Sequence, residues 1–215
     1  MAKKYDAITI VDMCQTAGLV DTDLSNDIFD YAVFEGHKTL YGPMGIGGFV
    51  AKPSVSLPSL IYGGTGVESA NQDMPDEVPV KYEAGSHNIL AISGLNASLK
   101  WISSIGIEAI RAKESENKNK LLELLKDYDN IKIITSTDGV GVVSCVFDGY
   151  SSDNIGQVLS NYSIATRTGL HCSPKAHEFL GTFPAGTVRF SVGYFNSDDD
   201  FVKLREALDY IEENS

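Results

Sequence analysis

The spacing of apolar residues changes along the chain, from short runs near the start to helical spacing in the middle. Residues 7–11 (AITIV) form an apolar, β-branched run that stops at Asp12, and residues 30–34 and 47–51 form similar runs. Short buried strands that stop at polar residues are typical of an α/β sheet, whose ligands collect at the strands' carboxyl ends. The pattern therefore predicts strands in all of these runs.

Residues 53–79 break this pattern. The segment is rich in Pro, Gly, Ser and Asn and carries the sequence GGTG at positions 63–66. Loops of this length inside a folded protein are usually functional or contact a partner. We therefore predict a long ordered loop with a functional role.

Apolar residues then recur every three or four positions, as on one face of a helix. They are Ile89, Ile92, Leu95, Leu99 and Ile102, and after Gly106 they are Leu121, Leu122, Leu125 and Tyr128. The remaining pattern predicts strands at 131–135, Val142–Phe147 and 188–192, a helix at 152–162 capped by Ser151 or Ser152, and a last helix after Ser197. The predicted organisation is a partial sheet domain in residues 1–85 and a small α/β domain in residues 86–215.

Composition narrows the class of protein. The 215 residues are 43% hydrophobic and 21% charged, and the net charge is -12, which argues against nucleic acid as a partner. No stretch approaches the roughly 18 apolar residues of a membrane helix. The three cysteines lack CxxC spacing and make an odd total, so a reducing, cytoplasmic location is expected.

Two segments in the first domain carry candidate chemistry. Asp12 could pair with a protonated ring nitrogen and Gln15 could donate to a ring hydroxyl, although an aspartate after a strand is also a common turn or cap residue. His37 and Lys38 are followed by the glycine-rich stretch GPMGIGG, which would let backbone approach a ligand closely. A desolvated lysine there could form a Schiff base, and the alternative is a solvated surface lysine.

The second domain contains a different combination of groups. The segment RTGLHC places Arg167 five residues before Cys172, a thiol outside any apolar run, whereas Cys145 lies within VVSCVF and should be buried and inert. Arg189 alternates with apolar residues on a predicted strand, either as a carboxylate clamp or as a surface cation. A zinc site built from His171, Cys172 and His177 is rejected, because the paired-ligand spacing is missing.

Together these segments resemble the cysteine desulfurases of the class V aminotransferase fold. The matching stretches, in order, are VDMCQTAG, GHKTLYGPMGIGGF, GGTG, KYEAGSHN, RTGLHC and GTVRFSVGYFN. The resemblance covers nearly the whole chain. It implies an α/β fold in which part of the large-domain sheet of a type I PLP transferase is followed by a small C-terminal α/β domain.

The resemblance implies roles for individual residues. Lys38 would form the Schiff base with pyridoxal 5'-phosphate (PLP) and then carry protons, and His37 would lie beside it at the cofactor. Asp12 would stabilise the pyridinium and Gln15 would contact the ring hydroxyl. Two further residues would bind substrate: Arg189 would hold the carboxylate and Arg167 would shape that end of the site.

Sulfur transfer and assembly also follow from the resemblance. Cys172 would attack the sulfur of L-cysteine, leaving L-alanine and an enzyme persulfide. Thr65 would reach the cofactor phosphate of a neighbouring subunit, which implies a homodimer. The RTGLHC form is similar to the group containing the SufS-type desulfurases and the selenocysteine lyases, so selenocysteine is an alternative substrate and a small sulfur-acceptor protein is an expected partner.

Two departures from the family pattern leave alternatives open. Glu35 stands where the family often has a small hydroxyl residue near the cofactor phosphate. The N-terminal half of the cofactor domain, which normally supplies a phosphate-binding turn and a ring-stacking histidine, has no counterpart in this sequence. The chain is therefore either part of a working desulfurase or selenocysteine lyase, or a truncated and inactive remnant of that family.

Overall fold

The computed structural model describes residues 2–26, 28–54, 56–68, 70–134 and 139–214. Contacts between residues divide the chain into two compact units, Met1–Ile107 and Glu108–Ser215. The boundary predicted from the sequence, between domains at residues 1–85 and 86–215, stays a prediction.

The first unit contains a three-stranded sheet in the order β1-β2-β3. Its strands are β1 (Ile10–Asp12), β2 (Tyr31–Glu35) and β3 (Gly47–Ala51), and β3 has the predicted bounds. β1 and β2 run parallel, with Asp12 opposite Val33, whereas β2 and β3 are antiparallel. The side chains that follow β1 and β2 therefore emerge at the same edge of the sheet.

The predicted bounds of the first two strands are wrong by a few residues. β1 begins at Ile10 instead of residue 7, and β2 begins at Tyr31 instead of residue 30. The Asp30 carboxylate accepts the Thr9 N–H at 2.8 Å and binds Lys3 Nζ at 2.6 Å, so its side chain links the residue before β2 to the segment before β1. At its other end β1 extends through Asp12, which is its last residue.

The rest of the first unit is a loop followed by a helix. Described residues 53–54, 56–68 and 70–79 form no helix or strand, in agreement with the predicted loop. Helix α1 (Ile89–Ile105) is capped by Asn88, whose side chain accepts the Ala91 N–H. Gly106, with φ of 91°, ends α1, and α2 (Ile107–Lys126) begins at the next residue.

The second unit packs helices on an antiparallel sheet with the strand order β4-β5-β7-β6. After α2, its elements are β4 (Ile131–Ile133), β5 (Val142–Phe147), α3 (Ser152–Asn161), β6 (Arg167–Gly169), α4 (Pro174–Leu180), β7 (Thr187–Ser191) and α5 (Asp198–Glu213).

Alternating side chains of β5 anchor the core of the second unit. Val143, Cys145 and Phe147 are buried, while the residues between them are partly exposed. Helical residues with the predicted spacing cover this face of the sheet. They include Leu121 and Leu125 of α2, Ile155 and Leu159 of α3, and Leu204, Leu208 and Ile211 of α5.

Several predicted elements of this unit are confirmed and others need correction. β5 and the Ser151 cap of α3 are as predicted, and α5 begins directly after Ser197. β4 ends at Ile133, and Thr135 lies outside the described residues. β7 runs one residue earlier than predicted, because Thr187 pairs with Gly169 at its start and Ser191, opposite Val142, is its last paired residue.

Helix α3 ends at Asn161, one residue before the predicted end, and two short elements were not predicted. β6 exists through its pairing with β7, a partner that local sequence does not reveal. α4 has Pro174 in its first turn and Gly181 in the left-handed conformation after its end. That arrangement is a recognisable helix signal. Among the described helices, none combines the length and hydropathy needed to cross a membrane.

Candidate active site residues in two units

In the first unit, two carboxylates end neighbouring parallel strands. Asp12 is the last residue of β1 and Glu35 the last residue of β2. Parallel strands present their carboxyl ends at one edge, which is where ligands bind in sheets of this class. The fold thus builds a polar edge from residues that lie far apart in the sequence.

A tight turn after β2 carries the candidate lysine. The Gly42 N–H binds Gly36 O at 2.7 Å, and the Gly36 N–H binds Ile46 O at 2.9 Å. A Cβ on Gly42 would lie 2.8 Å from Gly36 O, so the turn requires glycine at this position. Lys38 lies inside this turn, and its carbonyl accepts the Tyr41 N–H at 2.9 Å.

The Lys38 amine is engaged by a carboxylate. Its Nζ lies 3.0 Å from Glu35 Oε2, and His37 Nε2 lies 3.6 Å from the same oxygen. The side chains of Lys38 and Glu35 are 35% and 41% exposed, so solvent screens the pair. Glu35 therefore points along the turn toward the lysine and the histidine.

Asp12 and Cys14 form a small hydrogen-bonded group near this lysine. Asp12 Oδ1 accepts the Cys14 N–H at 2.9 Å. Hydrogen bonds from Cys14, together with the charge of Lys38, lower the pKa of Asp12, so it is ionised at neutral pH. The carboxylate in turn raises the pKa of the Cys14 thiol. Gln15 is exposed on the following turn.

Thr65 lies in a separate loop of the first unit. Its Oγ1 accepts the Val67 N–H at 3.3 Å and donates to Val67 O at 3.2 Å. The loop lines a cavity of about 340 Å³ that includes Gly63, Gly64 and Asn71. These contacts are all local, so the role of Thr65 toward a cofactor stays a prediction.

In the second unit, two arginines lie side by side on neighbouring strands. Arg167 of β6 is paired with Arg189 of β7 across the antiparallel ladder. Arg167 is exposed and Arg189 is half-buried, and among the described residues the buried Arg189 Nε has no hydrogen-bond partner. Burial first, and the charge of Arg167 second, lower the pKa of the Arg189 guanidinium. Such a pair provides donors for an anion.

The candidate nucleophile lies on the turn between β6 and α4. Cys172 is exposed, and Arg167 Nη2 lies 3.1 Å from its Sγ. Cys145 is buried as predicted, and burial raises the pKa of its thiol to about 12. Cys14 is half-buried. Of the three thiols, Cys172 is the accessible one beside a cation.

Two histidines lie beside the arginine pair. His171 Nε2 lies 2.8 Å from Thr187 Oγ1, and the buried Nδ1 has no hydrogen-bond partner. Burial is the main cause that lowers the pKa of His171, and Arg189, His177 and Arg167 add to it. The two histidine rings have centroids 5.5 Å apart. Within the described residues, no three metal-ligating side chains come together.

Sequence reasoning missed contributions from several residues. The contact of Cys14 with Asp12 and the hydrogen bond of Thr187 to His171 were not anticipated. Cys14 stands two residues after Asp12, a spacing at which an aspartate side chain often accepts a backbone N–H. The pairing that brings Thr187 to His171 has no comparable local signal.

The sequence profile of the class-V aminotransferases matches residues 1–204. The chain belongs to the class-V aminotransferase family. A probable cysteine desulfurase 2 of Mycobacterium leprae is 33% identical over 210 residues, which cover 94% of this chain and 50% of that protein. A probable cysteine desulfurase of Haemophilus influenzae is 31% identical over 218 residues, 98% of this chain and 49% of that protein.

Solved structures agree with the sequence comparison. The cysteine desulfurase CsdA of Escherichia coli, in its S-sulfonic acid form, matches with a TM-score of 0.89 at 26% identity, over 99% of this chain and 53% of that one. The apo cysteine desulfurase of Thermococcus onnurineus matches with a TM-score of 0.84 at 26% identity, over 100% of this chain and 55% of that one. The predicted fold class is confirmed, and the chain spans about half the length of these relatives.

Proposed function

We propose that this chain provides the cofactor lysine and the sulfur-accepting thiol of a PLP-dependent cysteine desulfurase. The observation that carries the proposal is the polar edge of the first unit, where Asp12 ends β1, Lys38 follows the neighbouring parallel strand β2, and the two interact through charge. The family is generally PLP-dependent, and its relatives are named cysteine desulfurases.

The residues at this edge fit PLP. An ionised Asp12 can accept a hydrogen bond from a protonated ring nitrogen. Lys38 provides an amine on a tight turn that requires glycine at position 42. Gln15 and His37 are the proposed further contacts. When bound, PLP supplies the electron sink for chemistry at the substrate's carbons. The chain's own task is to present Lys38 as the amine that accepts and returns protons, which requires it to leave Glu35.

The second unit supplies substrate binding in this proposal. Arg189 Nε is a buried donor without a partner, and a guanidinium holds a carboxylate through paired hydrogen bonds. We therefore assign the substrate carboxylate to Arg189, with Arg167 beside it.

Cys172 then performs the sulfur transfer. Its thiolate attacks the substrate sulfur, an S–S bond forms and the C–S bond breaks, and the electron pair of that bond stays with carbon, which is protonated. The products are L-alanine and a persulfide on Cys172, so no external oxidant or reductant is needed. Selenocysteine is the alternative substrate, because selenium and sulfur differ little in size.

Assembly into a homodimer and delivery of sulfur to a small acceptor protein complete the proposal. The loop around Thr65 supports it, because this loop exposes the apolar side chains of Leu60, Ile61 and Tyr62. Thr65 would serve the cofactor phosphate of the neighbouring subunit. A cytoplasmic location fits the reduced thiol that the reaction needs.

A non-catalytic remnant is the competing proposal. It is favoured by the Glu35–Lys38 ion pair, which occupies the amine that the cofactor would need. In that case the chain would keep the family fold without holding the cofactor.

Covalent trapping of PLP separates the two proposals. The chain is incubated with PLP, reduced with borohydride and digested, and the PLP mass is located by peptide mass spectrometry. We expect it on the Lys38 peptide and expect Lys38→Ala to abolish it, because a lysine amine is the group that bonds to the aldehyde. Label spread over surface lysines, unchanged by Lys38→Ala, would favour the remnant.

Sulfide release tests the second half of the proposal. With L-cysteine, PLP and a reductant, the chain should release sulfide, and Cys172→Ala should lose this activity while keeping PLP on Lys38. Release that is undiminished in Cys172→Ala would remove Cys172 from the reaction.

A further inference from the structure

We propose that Arg167 is a catalytic residue that holds the sulfur of Cys172 as an anion, before the attack as a thiolate and afterwards as a persulfide. The inference deepens the proposed function and rests on it for the identity of the reaction. It gives Arg167 a role separate from that of Arg189, which is left for the substrate carboxylate.

Backbone geometry brings the thiol back to Arg167. Gly169, His171 and Cys172 all have positive φ, at 89°, 50° and 62°, and the Ser173 N–H binds Leu170 O at 2.8 Å. Two consecutive non-glycine residues in this conformation are uncommon and carry a conformational cost. The turn reverses the chain, and Cys172 Sγ lies 3.1 Å from Arg167 Nη2 although the two residues are five positions apart in the sequence.

The electrostatic surroundings favour an anion at this position. Arg167 and Arg189 are paired across the ladder, and in the described part of the chain neither forms an ion pair with a carboxylate. His171 adds little positive charge, since burial lowers its pKa and favours its neutral form. Among the described residues no carboxylate therefore balances the two guanidinium groups, and a thiolate next to Arg167 supplies a negative charge.

The two arginines differ in what they can reach. Arg189 is half-buried with its Nε enclosed, which suits a substrate group that enters the site. Arg167 is exposed on the edge strand β6 and donates directly to the sulfur. The electron pair of the C–S bond goes to carbon and the proton of the substrate thiol ends there, so after the transfer the negative charge lies on the outer sulfur of the persulfide. A guanidinium has five N–H donors in one plane, so a small movement of Arg167 can keep it paired with either sulfur.

Alkylation of the cofactor-free chain tests this assignment. The rate of Cys172 modification by iodoacetamide at neutral pH is followed by peptide mass spectrometry in the wild type, Arg167→Met and Arg167→Lys. The thiolate is the reacting form, so we expect Arg167→Met to react about three- to tenfold more slowly and Arg167→Lys to fall between. Arg205→Met, which removes a guanidinium paired with Asp127 on another face of the unit, is the matched control and should keep the wild-type rate.

Two further readouts separate charge stabilisation from a structural role. Added salt should slow the wild-type reaction toward the rate of Arg167→Met and leave Arg167→Met nearly unchanged, because salt screens exposed charges. Buried Cys145 reports folding, since its alkylation in any variant would reveal an opened second unit. If Arg167→Met unfolds the second unit, the salt response of the wild type and the rate of Arg167→Lys still test whether Arg167 stabilises the Cys172 thiolate.

Equal, salt-independent rates in the wild type and the folded Arg167 variants would overturn the inference. The outcome is independent of PLP, so a failure of cofactor trapping at Lys38 would reject the proposed reaction and leave only the stabilisation of the Cys172 thiolate by Arg167 standing. Conversely, loss of the alkylation effect with intact trapping would reject Arg167 and keep the proposed function.

Discussion

Glu35 is the residue whose position most directly affects the proposed work of Lys38. Its carboxylate lies 3.0 Å from the Lys38 amine and 3.6 Å from His37. The free amine must attack the aldehyde of PLP, and an amine held by a carboxylate is less available for that attack. Glu35 is thus an internal competitor of the cofactor at the end of β2.

Glu35→Gln should speed the attachment of PLP to Lys38. An exposed ion pair contributes up to about 1 kcal/mol, so the expected gain is about two- to fivefold in the rate of borohydride-trapped PLP on the Lys38 peptide. Glu77→Gln, which changes an exposed carboxylate on the loop, is the matched control and should leave the rate unchanged. A slower rate in Glu35→Gln would mean that Glu35 assists the lysine.

Residue-level prediction worked where the local sequence reports the environment. Cys145 sits in an apolar run and is buried, whereas Cys172 sits among polar and small residues and is exposed. The contact between Arg167 and Cys172 could not be predicted in the same way. It depends on left-handed conformations at His171 and Cys172, which residues of these types adopt only in a particular tertiary setting.

Helix α2 shows what periodicity captures at the scale of an element and what it misses. The leucines that the pattern assigned to the core are buried, including Leu121 and Leu125. Glu114, Asn117 and Lys118 are also buried, although residue type alone would place them in solvent. Two of these side chains bind the backbone of turns. Glu114 accepts the Gly141 N–H at 2.6 Å, and Asn117 donates to Gly193 O at 2.9 Å.

Glu114→Gln should change how stability depends on pH. Burial raises the pKa of Glu114 above the ordinary value of 4.5, against the opposing effects of the Gly141 N–H and Lys118. The folded chain therefore holds this proton to higher pH than the unfolded chain, so the group's contribution is fully present below 4.5 and is lost as the pH rises through the raised value.

The measurement is the free energy of urea unfolding of both proteins at a series of pH values. The free energy of the wild type relative to Glu114→Gln should decrease from below 4.5 toward neutral pH. Glu116→Gln is a neighbouring control, whose carboxylate has a lowered pKa through Lys120 and Lys113 and should give the opposite slope. Parallel curves for the wild type and Glu114→Gln would contradict the assignment.

At the scale of the whole molecule, the two units differ in how completely they bury their sheets. The second unit covers one face of β5 and β7 with helices, and Val143, Cys145 and Val188 on that face are at most 1% exposed. In the first unit, apolar side chains of the sheet remain accessible, with Ile10 at 67% and Phe49 at 43% exposed. Opening the sheet of the first unit therefore exposes less buried apolar surface to water than opening the sheet of the second unit, and it costs less free energy.

Amide exchange measured by mass spectrometry should reflect this difference. We expect the amides of β5 and β7 to exchange slowest and those of residues 7–50 to exchange much faster, since local opening follows the buried apolar contacts. The exchange is measured at several protein concentrations. If a second copy of the chain covers the apolar face of the first sheet, the protection of residues 7–50 should increase with concentration and fall on dilution. Protection of residues 7–50 that matches β5 and β7 and persists on dilution would contradict the prediction, and it would show that this sheet is stable without a partner.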